Sequence, residues 1–216
     1  RIVAFTARQL EVTPQEDPTR EAKYVNSPET PIFRKGNLLF NLDKARLHVA
    51  EKKKFLLVEG QLDVMRCWQV GATTAVGPQG TAFTELQASL LARHQAEGVE
   101  VLLDGDRAGR EAALRILPIA LQAGLESTFL ELTEGQDPDD LLAEGGAAAL
   151  DELRVTAKTP MPFAVNALLQ GEGNPSPTRR QKVLESVFEI LFACSSVSVQ
   201  EAYLREASIL LDISEE

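Results

Sequence analysis

The chain has 216 residues, 44% of them hydrophobic and 25% charged, with a formal net charge of −10. Those proportions are ordinary for a soluble globular protein, and the length suffices for one or two domains with a real core. No apolar run reaches the roughly 18–20 residues of a membrane span and no signal-peptide pattern is present, so no membrane partner is expected.

In chain order, Arg1 to Val12 alternates as a strand, with Arg8 outward, and its lack of an initiator Met suggests a piece of a longer protein. Thr13 to Glu21 is polar with two prolines and reads as a loop. Lys23 to Pro31 is rich in turn residues, and Leu38 to Glu51 has helical spacing. From Phe55 a β-α alternation sets in. Strands are expected at Phe55–Val58, Ala72–Val76, Val99–Leu103 and Thr128–Leu132, with helices over Leu62–Val70, Glu85–His94 (capped by Thr84) and Arg107–Ala123. Gly71 and Gly124 stand where two of those helices should stop. Pro138 is placed to open a short helix through Ala143. Beyond Gly145-Gly146 the strand signals cease, and helices are expected over 147–157, 162–170, 178–193 and 199–211. The fold class read from this pattern is α/β: a mostly parallel sheet with flanking helices over 55–146, preceded by part of an α+β basic subdomain over 1–54 and followed by a small helical subdomain over 147–216.

The charge is unevenly spread. Residues 1–54 carry 11 Lys+Arg against 7 Asp+Glu, whereas residues 55–216 carry 11 against 25. A basic part beside an acidic one is compatible with a partner that presents a phosphate backbone, and equally with a solvated surface.

Three acidic signatures follow three of the apolar runs: Glu59-Gly60-Gln61-Leu62-Asp63, Asp104-Gly105-Asp106-Arg107-Ala108-Gly109-Arg110 and Gln136-Asp137-Pro138-Asp139-Asp140. Taken singly, Asp104-Gly105 is a turn pair, and Asp106 and Asp137 are helix N-caps. Taken together, they put carboxylates at the ends of three strands, on the edge of an α/β sheet where ligands bind. Crowded carboxylates repel, and hard divalent cations bound through oxygen relieve that repulsion. Gly105 and Gly109 allow close approach of backbone, metal and phosphate, and Arg107 and Arg110 suit phosphate oxygens. Cys67 and Cys194 lie in apolar helical patterns and read as buried thiols; with no CxxC pair, no zinc site is expected in these residues.

The three signatures resemble the Toprim domain of topoisomerases, primases and related nucleases. With Lys23-Tyr24-x-Asn26-Ser27-Pro28-Glu29-Thr30-x-Ile32-Phe33-x-Lys35-Gly36 and the loop Gly77-x-x-Gly80-Thr81, the version is similar to bacterial DnaG-type primases. That resemblance implies an enzyme, a DNA-directed RNA polymerase of primase type, which makes short RNA primers on single-stranded DNA from ribonucleoside triphosphates by metal-dependent nucleotidyl transfer. It implies two or more Mg²⁺ or Mn²⁺ ions, with Glu59, Asp104 and Asp106 as catalytic ligands and Asp63, Asp137 and Asp139 as further ligands. Arg8, Lys23, Asn26, Lys35 and Arg107 are the expected nucleotide or template contacts. A replicative helicase is expected to bind through a domain outside this chain, as is the family's zinc-binding domain, and the expected location is the bacterial cytoplasm. The alternatives are a Toprim nuclease or topoisomerase fragment, or a non-catalytic module that binds nucleic acid or a nucleotide.

Overall fold

The computed structural model describes residues 2–8, 24–52, 54–94 and 96–213. A short antiparallel pair, β1 (Thr6–Arg8) and β2 (Tyr24–Asn26), comes first in the described chain. Of the strand expected over Arg1–Val12, the described part is strand only at β1, and the expected loop at Thr13–Glu21 lies outside the described residues. The turn-rich segment after it contributes β2, because pairing with β1 outweighs local turn chemistry.

The helix expected over Leu38–Glu51 is instead two single turns, α1 (Leu42–Ala45) and α2 (Val49–Lys52). Its start is lost to a distant contact: the Phe40 N–H donates to the Gly77 carbonyl at 2.8 Å, which holds Phe40 extended.

The centre of the molecule is a parallel sheet of β3 (Lys54–Leu57), β4 (Ala75–Val76), β5 (Gly98–Leu102) and β6 (Glu126–Leu130), in the order β4-β3-β5-β6. Between them run α3 (Gln61–Gln69), α4 (Glu85–Arg93) and α5 (Arg107–Gln122). The stops at Gly71 and Gly124 have φ of +89° and +71°, a conformation that favours glycine. After β6 come α6 (Pro138–Val155), α7 (Pro160–Leu169), α8 (Pro177–Leu191) and α9 (Val197–Leu210). Gly146, at φ 60° and ψ −147°, is not helical, so α6 is two helical stretches that meet there, as expected on either side of Gly145-Gly146.

Phe55, Leu56, Leu57 and Val58 are all buried, as a strand covered on both faces requires. Leu56 and Val58 pack with Val64 and Cys67 of α3 and with Leu142 and Leu150 of α6. Phe55 and Leu57 face the opposite side, where α4 and α5 contribute Leu91, Ile116 and Leu117. On that side the core continues into α7, α8 and α9 through Phe163, Val187, Leu191 and Ala207. The Phe129 and Phe163 rings stack there with centroids 3.9 Å apart. The C-terminal helices therefore share the sheet's core.

Gln87 ties the N-terminal segment to this core. It is fully buried in the first turn of α4; its Nε2 donates to the carbonyls of Lys35 (3.1 Å) and Leu38 (2.8 Å), and its Oε1 accepts from Thr84 N–H. Gln87→Leu removes the partner of these part-buried backbone groups and is expected to cost about 1–3 kcal/mol. Thermal or urea unfolding of the variant checks this, and an unchanged midpoint contradicts it.

Candidate metal centre and its cleft

Sheet topology decides which acids meet. The chain runs from β3 outward to β4, then back across β3 to β5 and on to β6. The strand order therefore reverses between β3 and β5, the place where open α/β sheets bind ligands beyond the carboxyl ends of their strands. Leu57 of β3 is paired with Val101 of β5. Glu59 lies two residues past the end of β3, and Asp104 two residues past the end of β5, so this pair flanks the switch point.

Helices α3, α5 and α6 all start at this same edge. Asp63 Oδ2 accepts from the Gly60 N–H at 2.9 Å, Asp106 Oδ1 from Gly109 N–H at 2.7 Å, and Asp137 Oδ1 from Asp140 N–H at 2.7 Å. The capping role of Asp106 and Asp137 is thus present, and each cap occupies one of two carboxylate oxygens. Asp139 is held differently, by Arg66 Nε at 2.6 Å.

Glycine shapes the loop that carries Asp104. A Cβ on Gly109 would lie 2.1 Å from the Asp104 carbonyl, and one on Gly105 2.1 Å from the Thr133 carbonyl. What the two glycines admit is backbone against backbone: α5 on the Asp104 peptide, and the β5 loop on the loop after β6.

Glu59, Asp63, Asp104, Asp137 and Asp139 line one cleft of about 390 Å³. Its opposite wall is one face of the β1–β2 pair. The register sets Thr6 beside Asn26 and Arg8 beside Tyr24, and all four residues line the cleft. The Asn26 amide reaches toward the Gln79 carbonyl at 3.5 Å. Gly80, at φ +71°, leaves room for it; a Cβ there would stand 3.0 Å from Asn26 Nδ2.

The electrostatics follow from this crowding. Burial, then the charges of Asp104, Asp137 and Asp139, push the Asp63 carboxyl up to about 6, against the opposing effect of its Gly60 hydrogen bond. Cys67, buried behind α3, is pushed up to about 12 by burial and then by Asp63, so it offers no thiolate. Cys194, by contrast with the expectation, is only partly buried.

The donor set is all oxygen, which suits Mg²⁺ or Mn²⁺ rather than zinc. Among the described residues, no group of three or more His, Cys, Asp or Glu side chains is gathered tightly enough to hold a metal ion by itself. The arrangement still fits Mg²⁺, which keeps several waters and takes one or two carboxylates plus substrate phosphate oxygens.

Not every expected contact lies in the cleft. Asp106 is exposed at the head of α5, outside the cleft lining. Arg107 points elsewhere: its side chain is 82% exposed, it pairs with Glu111 at 2.7 Å, and it lines a second cavity of about 700 Å³ that also touches Asp104. Lys35 is also outside the cleft, its backbone N–H bonded to Glu29. Lys23 lies outside the described residues. Sequence reasoning missed Thr6 and Tyr24 as cleft residues. Their signal was period-two spacing, with Thr6 two residues before Arg8 and Tyr24 two before Asn26.

A parallel sheet with acids at its switch point, walled by helix N-termini, defines a Toprim-type domain, and the family model "Toprim-like" matches residues 56–142. The model "DNA primase catalytic core, N-terminal domain" matches residues 1–46. The chain is 32% identical over 213 residues to the DNA primase of Chlamydia trachomatis, covering 99% of this chain and 35% of that one. It is similar to the solved Escherichia coli primase catalytic core, with a TM-score of 0.81 and 32% identity, over 100% of this chain and 67% of that one. A structure of the DnaG primase catalytic domain bound to single-stranded DNA matches with a TM-score of 0.81 and 32% identity, over 100% of this chain and 66% of that chain. The chain belongs to the DnaG-type DNA primases. It spans about a third of the length of the curated relatives it matches.

The raised Asp63 carboxyl gives a signed pH dependence. Its ordinary value is 3.8 and its folded value about 6, so ionisation disfavours the fold progressively between those values and fully above the upper one. Asp63→Asn keeps an acceptor for Gly60 and removes the charge. In chelator, the variant is expected to unfold a few degrees higher than the parent at pH 8, with the gain vanishing near pH 4. A gain that is equal at both pH values, or a loss at pH 8, contradicts the repulsion described here.

Proposed function

We propose that this chain carries the catalytic core of RNA-primer synthesis on a single-stranded DNA template. The 3′-hydroxyl of the growing primer attacks the α-phosphate of an incoming ribonucleoside triphosphate, the bond to the β-phosphate breaks, and pyrophosphate leaves. The observation that carries this reading is the pairing of Glu59 and Asp104 at the reversal of strand order, facing Arg8 and Asn26 across one cleft.

Glu59 and Asp104 are the residues we assign first to Mg²⁺ or Mn²⁺; Asp106, outside the cleft lining and capping α5 with one oxygen, would reach such a cation only through water or a turn of the Asp104 loop. Asp63, Asp137 and Asp139 would act as further ligands, directly or through water. Two such cations, when bound, supply activation of the attacking oxygen and neutralisation of the leaving group. The chain's own cationic and amide groups do the rest. Arg8 offers a fork of donors to phosphate oxygens. Asn26, braced by the loop at Gln79, hydrogen-bonds nucleotide or template, and Tyr24 supplies an aromatic face beside them. Lys35 would extend the basic surface along the template, Lys23 is kept as a template contact on the sequence motif alone, and Arg107 marks the far side of the Asp104 loop. In this reading residues 1–54 handle nucleic acid, 55–146 hold the metal centre, and 147–216 buttress the sheet. A replicative helicase would meet the protein in the bacterial cytoplasm through a domain outside these residues.

Asp104→Ala in the intact protein is expected to reduce primer synthesis on a single-stranded template by at least ~10²-fold, the scale of losing several kcal/mol of transition-state stabilisation. Circular dichroism should be unchanged, because Asp104 sits in a loop; a rate near that of the parent overturns the assignment. Arg8→Ala tests the opposite wall. It is expected to weaken single-strand binding and to flatten the slope of log affinity against log salt by about 0.7, the value for one phosphate contact. An unchanged slope removes Arg8 from the phosphate path.

A further inference from the structure

We propose that Arg66 is a built-in counter-ion that competes with divalent cations for Asp139, and so sets how tightly the cleft binds them. The proposal rests on the metal reading above. Arg66 lies on α3 one turn beyond Asp63, and its Nε donates to Asp139 Oδ1 at 2.6 Å while its Nη1 reaches Gln69 Oε1 at 3.2 Å. Asp139 in turn faces the cleft together with Glu59, Asp63, Asp104 and Asp137. Arg66 engages Oδ1 and leaves Oδ2 open, so a cation on Asp139, about 2.1 Å from its oxygen when directly bound, would bring two positive charges onto one carboxylate. The guanidinium charge therefore opposes a cation at either oxygen of Asp139.

Both partners have room to exchange. The Arg66 side chain is 32% exposed and that of Asp139 46%, and Gln69 already accepts from Arg66 Nη1, so the guanidinium keeps a partner if it leaves Asp139. With Arg66 docked, one of the five cleft carboxylates is neutralised, which lowers the repulsion felt by Asp63. A cation at Asp139 would be held directly or through water, and Arg66 would keep Gln69 and solvent as its partners. Arg66 is thus a positioning residue that acts through Asp139.

The test is titration of the 216-residue chain with Mn²⁺, followed by electron paramagnetic resonance at low ionic strength. Arg66→Met keeps the apolar stem and removes the charge; it is expected to tighten Mn²⁺ binding about five- to tenfold, the Coulombic scale of one charge beside a partly solvated site. Arg66→Lys, which keeps the charge, should return affinity toward that of the parent. In an Asp139→Asn background the Arg66→Met effect should shrink, because the shared group has lost its charge. If the parent binds Mn²⁺ and Arg66→Met binds it equally or more weakly, the competition is wrong while the metal reading stands. A full effect that persists in Asp139→Asn makes Arg66 a remote charge and overturns the proposal as well. Absence of Mn²⁺ binding by the parent removes the metal reading and this inference with it.

Discussion

Mutual repulsion of carboxylates is the constraint around which this molecule is arranged. A parallel sheet brings the ends of its strands to one edge, and here three of the connections that leave the edge carry acids. Five of these acids face one cleft. The fold tolerates them because the helices that return from that edge present their N-termini to it, with unpaired N–H groups and the positive end of the helix dipole. Gly60, Gly109 and Asp140 donate backbone hydrogen bonds to Asp63, Asp106 and Asp137. Arg66 neutralises a further acid. Burial, and then the charges of Asp104, Asp137 and Asp139, still hold the Asp63 carboxyl above its ordinary value. In the proposed reading, a cation bound at this edge would offset that cost.

The rest of the structure holds this edge in place. Strands β3 and β5 are buried on both faces, so their ends cannot shift without opening two layers of core. The tight approach of Gly109 to the Asp104 carbonyl locks the acidic loop onto α5. Outside the cleft, Gln87 and Thr84 of α4 grip the 35–38 segment, with the Thr84 hydroxyl donating to the Gly36 carbonyl at 2.6 Å. Acids and bases thus reach the cleft from separate parts of the chain, each part anchored to the same sheet. In the proposed reading, the acids would hold cations on one side and Arg8 and Asn26 would hold phosphate on the other.

Much of this was legible in the sequence, and for local reasons. The apolar runs located three of the central strands closely but started β4 at Ala72 where it begins at Ala75, and Thr84, Asp106 and Asp137 were readable as helix starts because capping is set by near neighbours. Gly71 and Gly124 were readable as stops. What stayed hidden was set by contacts across the chain. Strand order, which puts Glu59 beside Asp104, has no local signature. The Arg66–Asp139 pair joins residues 73 apart. The break in the 38–51 helix depends on a bridge to Gly77, and β2 exists because β1 pairs with it. The same limit explains Asp106, Arg107 and Lys35: their motif neighbours line the cleft, but helix phase and the 35–38 anchor turn these three away.

The most direct measurement of the central claim is anomalous diffraction from crystals soaked in Mn²⁺. Anomalous density between the Glu59 and Asp104 carboxylates, at the switch point of the sheet, is the expected result. Density confined to Cys67 or Cys194, or no density in the acidic cleft at saturating Mn²⁺, contradicts it.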